Sequence, residues 1–491
     1  GVLGYITNHG YLDNPTFRGM RQHLMETFDE IYILDLHGNS KKKEKAPDGG
    51  KDENIFDIQQ GVAIMLAVKV KSRSDEAKKA PARVFHADLW GRREIYDGEQ
   101  LTGGKYHWLW QNSAETTPWQ ELKPARPFYV FNSQETKLQE EYDQTWSFQQ
   151  VMPVNSVGVA TYQDEKVVAF SSEDASKLAG SQGISFDTIT QYLYRPFDLR
   201  YLLYDDRVVA RPRRRVLCNM LNPNYAIFLG RQGQAVNDAT WSLLFCGKQM
   251  EDYNLYRRGN NVCFPLYLYP PADALDASAG RHPNISPAFL KALAEKLKAP
   301  QEAPHGLPAG VTPEDIFHYA YAVFHSQTYR KRYAEFLKID FPRLPLTSNR
   351  DMFFSLAALG GELVGLHLME SPKLNDLITE FPEKGSDAVE KVTFAVDADL
   401  RAASESGRVW INPTQYFGGV PATVWSFHIG GYQVCEKWLK DRKGRTMTYE
   451  DIQCYQKIVV ALNETIRLMA EIDKVIETQG GWPTAFSGNK T

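Results

Sequence analysis

Arginine and aromatic side chains are concentrated in residues 191–234, which read QYLYRPFDLRYLLYDDRVVARPRRRVLCNMLNPNYAIFLGRQGQ. Residues 191–260 contain eleven basic and six acidic side chains, although the whole 491-residue chain has a net charge of −4. Guanidinium groups match phosphate oxygens and the O6/N7 edge of guanine, and aromatic rings offer stacking surfaces. The stretch is therefore a candidate nucleic-acid-binding face.

The same composition also fits a sheet whose arginines pair with acids of the chain itself, notably Asp198, Asp205 and Asp206. If the stretch binds DNA, discrimination comes from Arg, Asn or Gln side chains on base edges, and positioning comes from phosphate contacts. The predicted DNA contacts are Arg195, Arg200, Arg211, Arg213, Arg214, Arg215, Arg231 and Gln232. Composition alone leaves both interpretations open.

Sequence signatures of the common enzyme classes are absent. The chain has no G-x-x-x-x-G-K-[ST], no G-x-G-x-x-G after a strand, no H-E-x-x-H and no G-x-S-x-G. The segments at 14–17 (NPTF) and 222–225 (NPNY) resemble the Asn/Asp-Pro-Pro-Tyr turn of amino-methyltransferases, but each lacks the second proline. The eleven histidines do not cluster at ligand spacing, so the sequence predicts no metal site.

Length and composition indicate a globular protein of more than one domain, because single hydrophobic cores stop growing near ~250 to 300 residues. Hydrophobic residues make up 43% of the chain and charged residues 24%, which is typical of soluble proteins. The five cysteines are widely spaced and form no C-x-x-C pair. We therefore predict a cytoplasmic protein without structural zinc. No run of eighteen apolar residues is present, so we expect no membrane partner.

The N-terminal segment has the pattern of an α/β sheet. Strands are predicted at 1–7, 31–36 and 61–70, with a helix after Asn14-Pro15. The third strand is apolar enough to be buried on both faces. Three strands cannot close such a sheet, so we expect the chain to be the end of a longer polypeptide whose N-terminal part supplies the others.

The rest of the chain changes character twice. Residues 131–270 alternate short apolar runs with turns, which predicts a β-rich part. Residues 271–312 are rich in Pro, Ala and Gly and are predicted to be a linker with one helix. Residues 313–491 are mostly helical and end in a long helix that begins at Thr448, where Asp451 is placed for a capping box.

Several motifs occur in the order typical of one family. Together they resemble the single-polypeptide, type I-like (type ISP) restriction-modification enzymes and their type IIG relatives, from the end of the adenine-N6 DNA methyltransferase domain through the specificity region. The motifs lie at Gly1–Leu12, Phe17–Arg21, Ile31–Asn39, Asn54–Met65, Tyr194–Arg200, Arg211–Arg213, Tyr329–Tyr333, Asp340–Arg343, Leu363–Leu368 and Gly430–Leu439.

The resemblance implies a fold of class α/β plus α+β. A partial Rossmann-like methyltransferase sheet in residues 1–130 would precede a mixed α+β target-recognition domain with a helical C-terminal part. In this division residues 131–270 are the β-rich recognition part, 271–312 the linker and 313–491 the helical part of the specificity region.

The resemblance also implies a target-base pocket. Phe56 matches the aromatic residue that in this family stacks on the flipped adenine, as chemistry on a base requires the base to leave the helix stack. Ordinary core packing before a strand is the alternative for Phe56. Thr7, Asn8 and His9 follow the first strand at the sheet end where α/β folds place ligands, and are further candidates for lining the pocket.

By this resemblance the chain is a sequence-specific recognition fragment that positions double-stranded DNA for methyl transfer by a missing N-terminal part. That part would carry the S-adenosylmethionine loop and the Asn-Pro-Pro-Tyr turn, so we expect this chain alone to bind no cofactor and to be inactive. Two alternatives stay open. One is a self-sufficient S-adenosylmethionine-dependent DNA adenine methyltransferase with degenerate motifs, and the other is a scaffold that does not bind DNA.

Overall fold

A computed structural model describes residues 1–40, 44–70, 80–126, 129–132, 136–231, 240–259, 261–270, 280–396 and 406–487. The chain forms two compact units, Gly1–Glu141 and Tyr142–Thr491. Within the described ranges, no helix combines the length and the apolar character that a membrane span requires.

The first unit is built on one five-stranded sheet and a small hairpin. Its strands are β1 (Val2–Asn8), β2 (Glu30–Asp35), β3 (Val62–Val68), β4 (Arg83–Asp88), β5 (Ile95–Asp97), β6 (Gln100–Gly103) and β7 (Gln120–Leu122). Its helices are α1 (Arg18–Thr27) and α2 (Gly104–Gln111), and α3 (Thr136–Asp143) crosses the boundary to the second unit. The sheet has the order β1-β3-β2-β4-β7, and β5 pairs with β6.

This sheet is mixed, and the Rossmann-like sheet that was predicted is not confirmed. β3 runs antiparallel to both of its neighbours, β1 and β2, and β7 runs antiparallel to β4. Only β2 and β4 are parallel. The predicted strands and the helix between them are present, but β3 is not buried on both faces. Its alternate residues Ile64, Leu66 and Val68 are partly exposed, because one face of the strand is only half covered.

A buried ion pair holds three loops together in the first unit. Lys105 of α2 lies 2.8 Å from the Asp52 carboxylate, and both side chains are fully buried. The Lys105 ammonium also donates to the carbonyls of Leu36 and Glu53, at 2.7 and 2.6 Å. Asp52 in turn accepts from the backbone N–H groups of Gly38 and Gly91. The pair therefore joins the segments that follow β2 and β4 to the loop that precedes β3.

The second unit contains many short strands and most of the helices. Its strands are β8 (Trp146–Ser147), β9 (Ser156–Val157), β10 (Val168–Ala169), β11 (Ile189–Arg195), β12 (Asp198–Leu203), β13 (Ala226–Leu229), β14 (Leu244–Gly247), β15 (Met250–Glu251), β16 (Val262–Pro265), β17 (Tyr267–Leu268), β18 (His282–Pro283), β19 (Gln301–Glu302), β20 (Leu307–Pro308), β21 (Arg343–Leu344), β22 (Thr393–Val396), β23 (Ser406–Trp410), β24 (Tyr416–Pro421), β25 (His428–Ile429) and β26 (Tyr432–Gln433). Its helices are α4 (Phe148–Val151), α5 (Asp164–Val167), α6 (Ser172–Gln182), α7 (Arg214–Leu217), α8 (Pro287–Leu297), α9 (Pro313–His325), α10 (Gln327–Arg332), α11 (Ala334–Ile339), α12 (Arg350–His367), α13 (Ala422–Trp425), α14 (Val434–Lys440) and α15 (Tyr449–Thr478).

Two four-stranded sheets carry the β-rich part, with the orders β10-β12-β11-β15 and β14-β13-β16-β9. The strands β11 and β12 form a hairpin that turns at Phe197, which has a φ of 63°. The predicted linker is packed where the structure describes it, because α8 buries Phe289, Leu290, Leu293, Ala294 and Leu297. Residues 271–279 lie outside the described ranges.

Helices dominate the C-terminal part, as predicted. The long helix α15 is capped by Thr448, whose side chain accepts from the Asp451 N–H while Asp451 reaches back to the cap. Its apolar stripe is buried at Tyr455, Ile458 and Leu462 among others. Helices α9 and α12 pack closely at Gly360, where a Cβ atom would lie 1.9 Å from the His318 carbonyl oxygen.

Replacing Gly360 by alanine is expected to destabilise the second unit. The added methyl group meets a backbone carbonyl, which no rotamer change can move, so we expect a loss of ~1–3 kcal/mol in the free energy of unfolding. Gly365→Ala in the same helix is the matched control, because its Cβ would lie at an ordinary 3.8 Å from Ser371. Urea unfolding should show the control unchanged or stabilised by up to ~1 kcal/mol through helix propensity. Equal effects of the two substitutions would contradict close packing at Gly360.

Candidate nucleic-acid interface

Two of the predicted DNA-contact arginines are buried in the β11–β12 hairpin. Arg195 is 8% exposed, and its guanidinium lies 2.8 Å from the Asp252 carboxylate. Arg200 is 9% exposed and lies 2.7 Å from the Asp198 carboxylate. The two guanidinium carbons each lie 3.8 Å from the centre of the Tyr194 ring. The aromatic and cationic groups of this hairpin therefore stack on one another inside the unit.

These contacts remove Arg195 and Arg200 from the candidate DNA face, which corrects their assignment from sequence. Burial is the largest single effect on Arg195 and lowers the pKa of its guanidinium, but Asp252 together with the rings of Tyr194, Tyr432 and Tyr192 raises it overall. Withdrawing Arg195 toward DNA would leave the buried Asp252 carboxylate without its arginine, a change that typically costs ~3–5 kcal/mol, and withdrawing Arg200 would remove one of the two arginines that bind Asp198. For this half of the stretch, pairing with the chain's own acids is the correct interpretation.

Four further arginines follow the hairpin, in residues 211–215, and all of them except the partly buried Arg213 are exposed. Arg211 is held by its backbone, which exchanges hydrogen bonds with Ala160 at 2.9 and 3.2 Å. Arg213 has a left-handed φ of 56° and directly precedes the short helix α7. Arg214 and Arg215 are exposed, and Arg214 pairs with Asp206 at 2.7 Å. The backbone of this turn is fixed while its side chains reach solvent.

A cleft of about 510 Å³ lies beside this turn. One wall is formed by residues 153–156 and the other by residues 213–216. Asn155 and Ser156 therefore face the arginines with an amide and a hydroxyl group. In the part of the chain that the structure describes, Arg211, Arg213 and Arg215 have no carboxylate within ion-pair distance. Such a set of donors can hold phosphates and contact base edges.

An exposed aromatic ring extends the cationic surface. Tyr162 is 68% exposed, and the guanidinium carbon of Arg211 lies 5.9 Å from the centre of its ring. Sequence reasoning did not select Tyr162, Asn155 or Ser156, because they lie some fifty residues before the arginines. The pairing of Ala160 with Arg211 brings the two segments together.

The last two predicted contacts lie after β13. Arg231 is partly exposed, and its guanidinium carbon lies 5.7 Å from the centre of the Phe341 ring. Asp340 is close enough for the Arg231 charge to lower its pKa, although burial has the larger effect and raises it overall. Gln232 lies outside the described residues.

The predicted base-pocket residues lie in the first unit, around an exposed loop at residues 54–60. Phe56 is 43% exposed, so core packing does not explain this side chain. Its backbone N–H donates to the Asn54 side chain at 2.9 Å, and the Asn54 amide donates to the Gln60 carbonyl at 2.6 Å. Asn8 at the end of β1 donates to the Gln60 side chain at 2.6 Å.

The other two pocket candidates, Thr7 and His9, differ in their exposure to solvent. Thr7 is exposed at the end of β1. His9 is 7% exposed, and its Nδ1 lies 3.0 Å from the Asp35 carboxylate. The structure therefore brings Asn8 and the Phe56 loop together and directs His9 inward. At the first Asn-Pro segment, the Asn14 side chain accepts from the Thr16 N–H as a helix starts there.

Comparison with known families identifies most of the second unit. A family model described as the Type ISP C-terminal specificity domain matches residues 176–471, which is more than half of the chain. The chain belongs to this family. The match includes the arginine turn at 211–215 and the helices α8 to α14. No curated protein sequence matches the chain.

Solved structures of similar fold come from larger enzymes. The ATP-dependent Type ISP restriction-modification enzyme LlaBIII bound to DNA has a TM-score of 0.61 and 19% identity, with 96% of this chain and 32% of that chain covered. The DrdV–DNA complex has a TM-score of 0.61, 20% identity and coverages of 96% and 50%. A nuclease-deletion mutant of the Type ISP enzyme LlaGI, in complex with a DNA substrate mimic, has a TM-score of 0.59, 18% identity and coverages of 96% and 46%. This Type ISP specificity chain thus spans a third to a half of those enzymes and shares their fold.

A buried carboxyl group next to the Arg195–Asp252 pair makes the stability of this specificity domain sensitive to pH. Glu251 is fully buried, and burial raises its pKa from 4.5 to about 8. Asn261 donates to one carboxyl oxygen at 3.1 Å, and the other oxygen has no hydrogen-bond partner among the described residues. The folded chain therefore keeps a proton on Glu251 at neutral pH, while the unfolded chain has released it.

We expect the free energy of unfolding to fall as pH rises from about 4.5 to about 8, because only the folded state still binds this proton. The contribution is fully present below pH 4.5 and is lost above the folded pKa. Glu251→Gln keeps the shape and cannot titrate, so it should flatten this part of the profile. Urea unfolding of both proteins across this range measures the difference. Parallel profiles would show that Glu251 is ionised in the folded chain.

Proposed function

We propose that this Type ISP specificity domain recognises double-stranded DNA in a sequence-dependent way through the arginine turn at 211–215 and the cleft beside it. The observation that carries the proposal is that some arginines of residues 191–234 have acidic partners and others do not. Arg195 and Arg200 are neutralised inside the unit, whereas Arg211, Arg213 and Arg215 have no carboxylate partner among the described residues. Exposed cations without acidic partners are what a phosphate backbone requires.

The family gives independent support. The similar structures of LlaBIII, DrdV and LlaGI are each described with DNA or a DNA mimic. The net charge of −4 means that attraction to DNA has to come from a local patch. The arginine turn provides that patch, and Asn155 and Tyr162 supply an amide and a stacking ring at its side. The scaffold alternative leaves these unpaired cations unexplained.

We further propose that the first unit positions an adenine for N6-methylation, with S-adenosylmethionine held by a part of the polypeptide outside this chain. The support is the exposed Phe56 ring, which is presented by a loop braced through Asn54 and Gln60. A flipped base needs an aromatic face of this kind and polar groups for its edge. Asn8, which contacts the same loop, offers an amide for that purpose.

Removing the arginines without acidic partners is expected to weaken DNA binding and reduce its salt dependence. Each lost phosphate contact should lower the slope of log K against log[salt] by ~1 and weaken binding to all sequences alike. For Arg211→Ala with Arg215→Ala we therefore expect a slope reduced by ~2. Fluorescence anisotropy with a labelled duplex at several salt concentrations measures the slope.

Arg467→Ala is the matched control for this experiment. Arg467 is a similarly exposed arginine of α15, but it is already paired with Glu464 and Glu471. Its removal should leave the slope unchanged. An unchanged slope in the Arg211/Arg215 variant, or an equal loss in the control, would exclude the arginine turn as the DNA contact.

In the polypeptide that carries the methyl-transfer activity, Phe56→Ala should lower the rate of methyl transfer. Stacking on a base is worth ~1–3 kcal/mol, which corresponds to a loss of roughly 5- to 150-fold. Ile58→Ala on the same loop is the control, since Ile58 is 50% exposed but has no aromatic face. Transfer of labelled methyl groups to duplex DNA measures both. The base-stacking role is wrong if the two variants lose equal activity.

A further inference from the structure

Three side chains of the first unit meet at the C-terminal ends of two parallel strands. Asp35 ends β2 and Asp88 ends β4, and the two residues are paired in register. His86 precedes Asp88 by two positions, so its side chain lies on the same face of the sheet. Sequence reasoning found no metal-ligand spacing because Asp35 lies about fifty positions before His86 and Asp88. The strand register brings them together.

The His86 imidazole is the feature that calls for a ligand. It is 1% exposed, and neither ring nitrogen has a hydrogen-bond partner among the described residues. A buried polar group without a partner destabilises the folded state, so such groups are rare in native structures. The Asp88 Oδ2 atom lies 3.7 Å from His86 Nδ1, which is too far for a hydrogen bond.

The three residues are placed closely enough to share one ion. One ligand atom from each of Asp35, His86 and Asp88 lies within 4.8 Å of the others. Metal–ligand distances of ~2.0–2.2 Å require such atoms to come within roughly 4 Å of one another, which a small side-chain rotation achieves. The Asp88 side chain is 30% exposed, which gives an ion a path from solvent.

We propose that Asp35, His86 and Asp88 form a binding site for a divalent transition-metal ion of the Zn²⁺ type. Nitrogen and oxygen donors in this combination favour such ions over Mg²⁺ or Ca²⁺, which take oxygen ligands. The ion supplies the missing partner of His86 and neutralises two adjacent carboxylates. It thereby links the ends of β2 and β4. The site does not depend on the proposed DNA binding.

Neighbouring groups orient the proposed ligands. His9 Nδ1 lies 3.0 Å from Asp35 Oδ1, and the backbone N–H of His37 donates to the same oxygen at 2.9 Å. His37 Nε2 lies 2.8 Å from Asp88 Oδ1, and the His37 ring stacks on Trp90. Both carboxylates are thus held by hydrogen bonds to groups behind them, as in established metal sites.

A second group of possible ligands, His9, His37 and Glu44, also lies within 4.8 Å. Its members already have partners. His9 and His37 contact Asp35 and Asp88, and Glu44 accepts from the Asn39 N–H at 2.9 Å. No unsatisfied buried nitrogen points to an ion there, so we assign the site to the group around His86.

The test uses the full chain, Zn²⁺ for affinity and Co²⁺ as a spectroscopic probe. We expect one Co²⁺ per chain, with visible absorption bands that Zn²⁺ abolishes. Removing a group that only supports a ligand typically lowers metal affinity ~10–100-fold. His86→Gln and Asp88→Asn should therefore each reduce Zn²⁺ affinity by more than ~100-fold. His23→Gln, at an exposed histidine of the same unit, and Glu44→Gln should leave it unchanged.

Circular dichroism establishes that each variant is folded before its affinity is compared. Asp88→Asn is the second variant because Asp88 is partly exposed and its loss disturbs the core less. Failure of the wild-type chain to bind Co²⁺ or Zn²⁺ would overturn the site without reference to any variant. So would binding that survives both His86→Gln and Asp88→Asn, or binding that is lost in Glu44→Gln instead. If neither variant folds, nitrogen hyperfine structure from bound Cu²⁺ must show a single imidazole, and its absence rejects the proposal.

Discussion

The second unit depends on the pairing of one buried carboxylate. Asp198 is 1% exposed, and it binds Arg200 through one oxygen and Arg442 through the other, at 2.7 and 3.0 Å. These two arginines are 242 positions apart in the sequence. A buried charge that loses a partner costs ~3–5 kcal/mol, so the β11–β12 hairpin is fixed against the C-terminal helices. The same pairing neutralises Arg200 in the hairpin, whereas Arg211 and Arg215 beyond it have no carboxylate partner among the described residues.

A fixed hairpin gives the arginine turn a rigid support. Tyr204 in the core donates its hydroxyl to the Pro212 carbonyl at 2.6 Å, and Ala160 pairs with the backbone of Arg211. The turn therefore has few backbone conformations to lose when DNA binds, and only its side chains must become ordered. Ordering each long side chain on binding costs ~0.5–1.5 kcal/mol, and a mobile backbone would add its own ordering cost. The rigid backbone also sets which base positions the guanidinium groups can reach.

Local sequence patterns were enough to predict single helices and strands, whereas strand direction and ion pairing depended on residues far apart in the chain. The capping box at Thr448 and the apolar spacing after it were enough to predict α15, because both act within one helix. The direction of β3 depended on which strands it would lie between, which no local pattern encodes. Which arginines are paired depends on distant acids such as Asp252, the partner of Arg195. The pairing of Arg200 with Asp198 also involves Arg442 from the C-terminal part. The group of Asp35, His86 and Asp88 was missed for the same reason, since strand register brings these residues together.

The Lys105–Asp52 pair is difficult to explain by stability alone. Replacing a buried ion pair by apolar side chains is often neutral or stabilising, so such pairs are weak contributors to the free energy of folding. Here the pair fixes the segment just before an exposed loop, and Tyr106 beside it donates to the Ile55 carbonyl at 2.6 Å. The loop then presents Phe56 and Ile58 to solvent, where neither ring nor side chain gains from burial. The buried ion pair thus fixes a loop whose apolar side chains stay exposed. We infer that the pair preorganises this loop for a ligand, and the proposed flipped base is a ligand that an exposed aromatic ring fits.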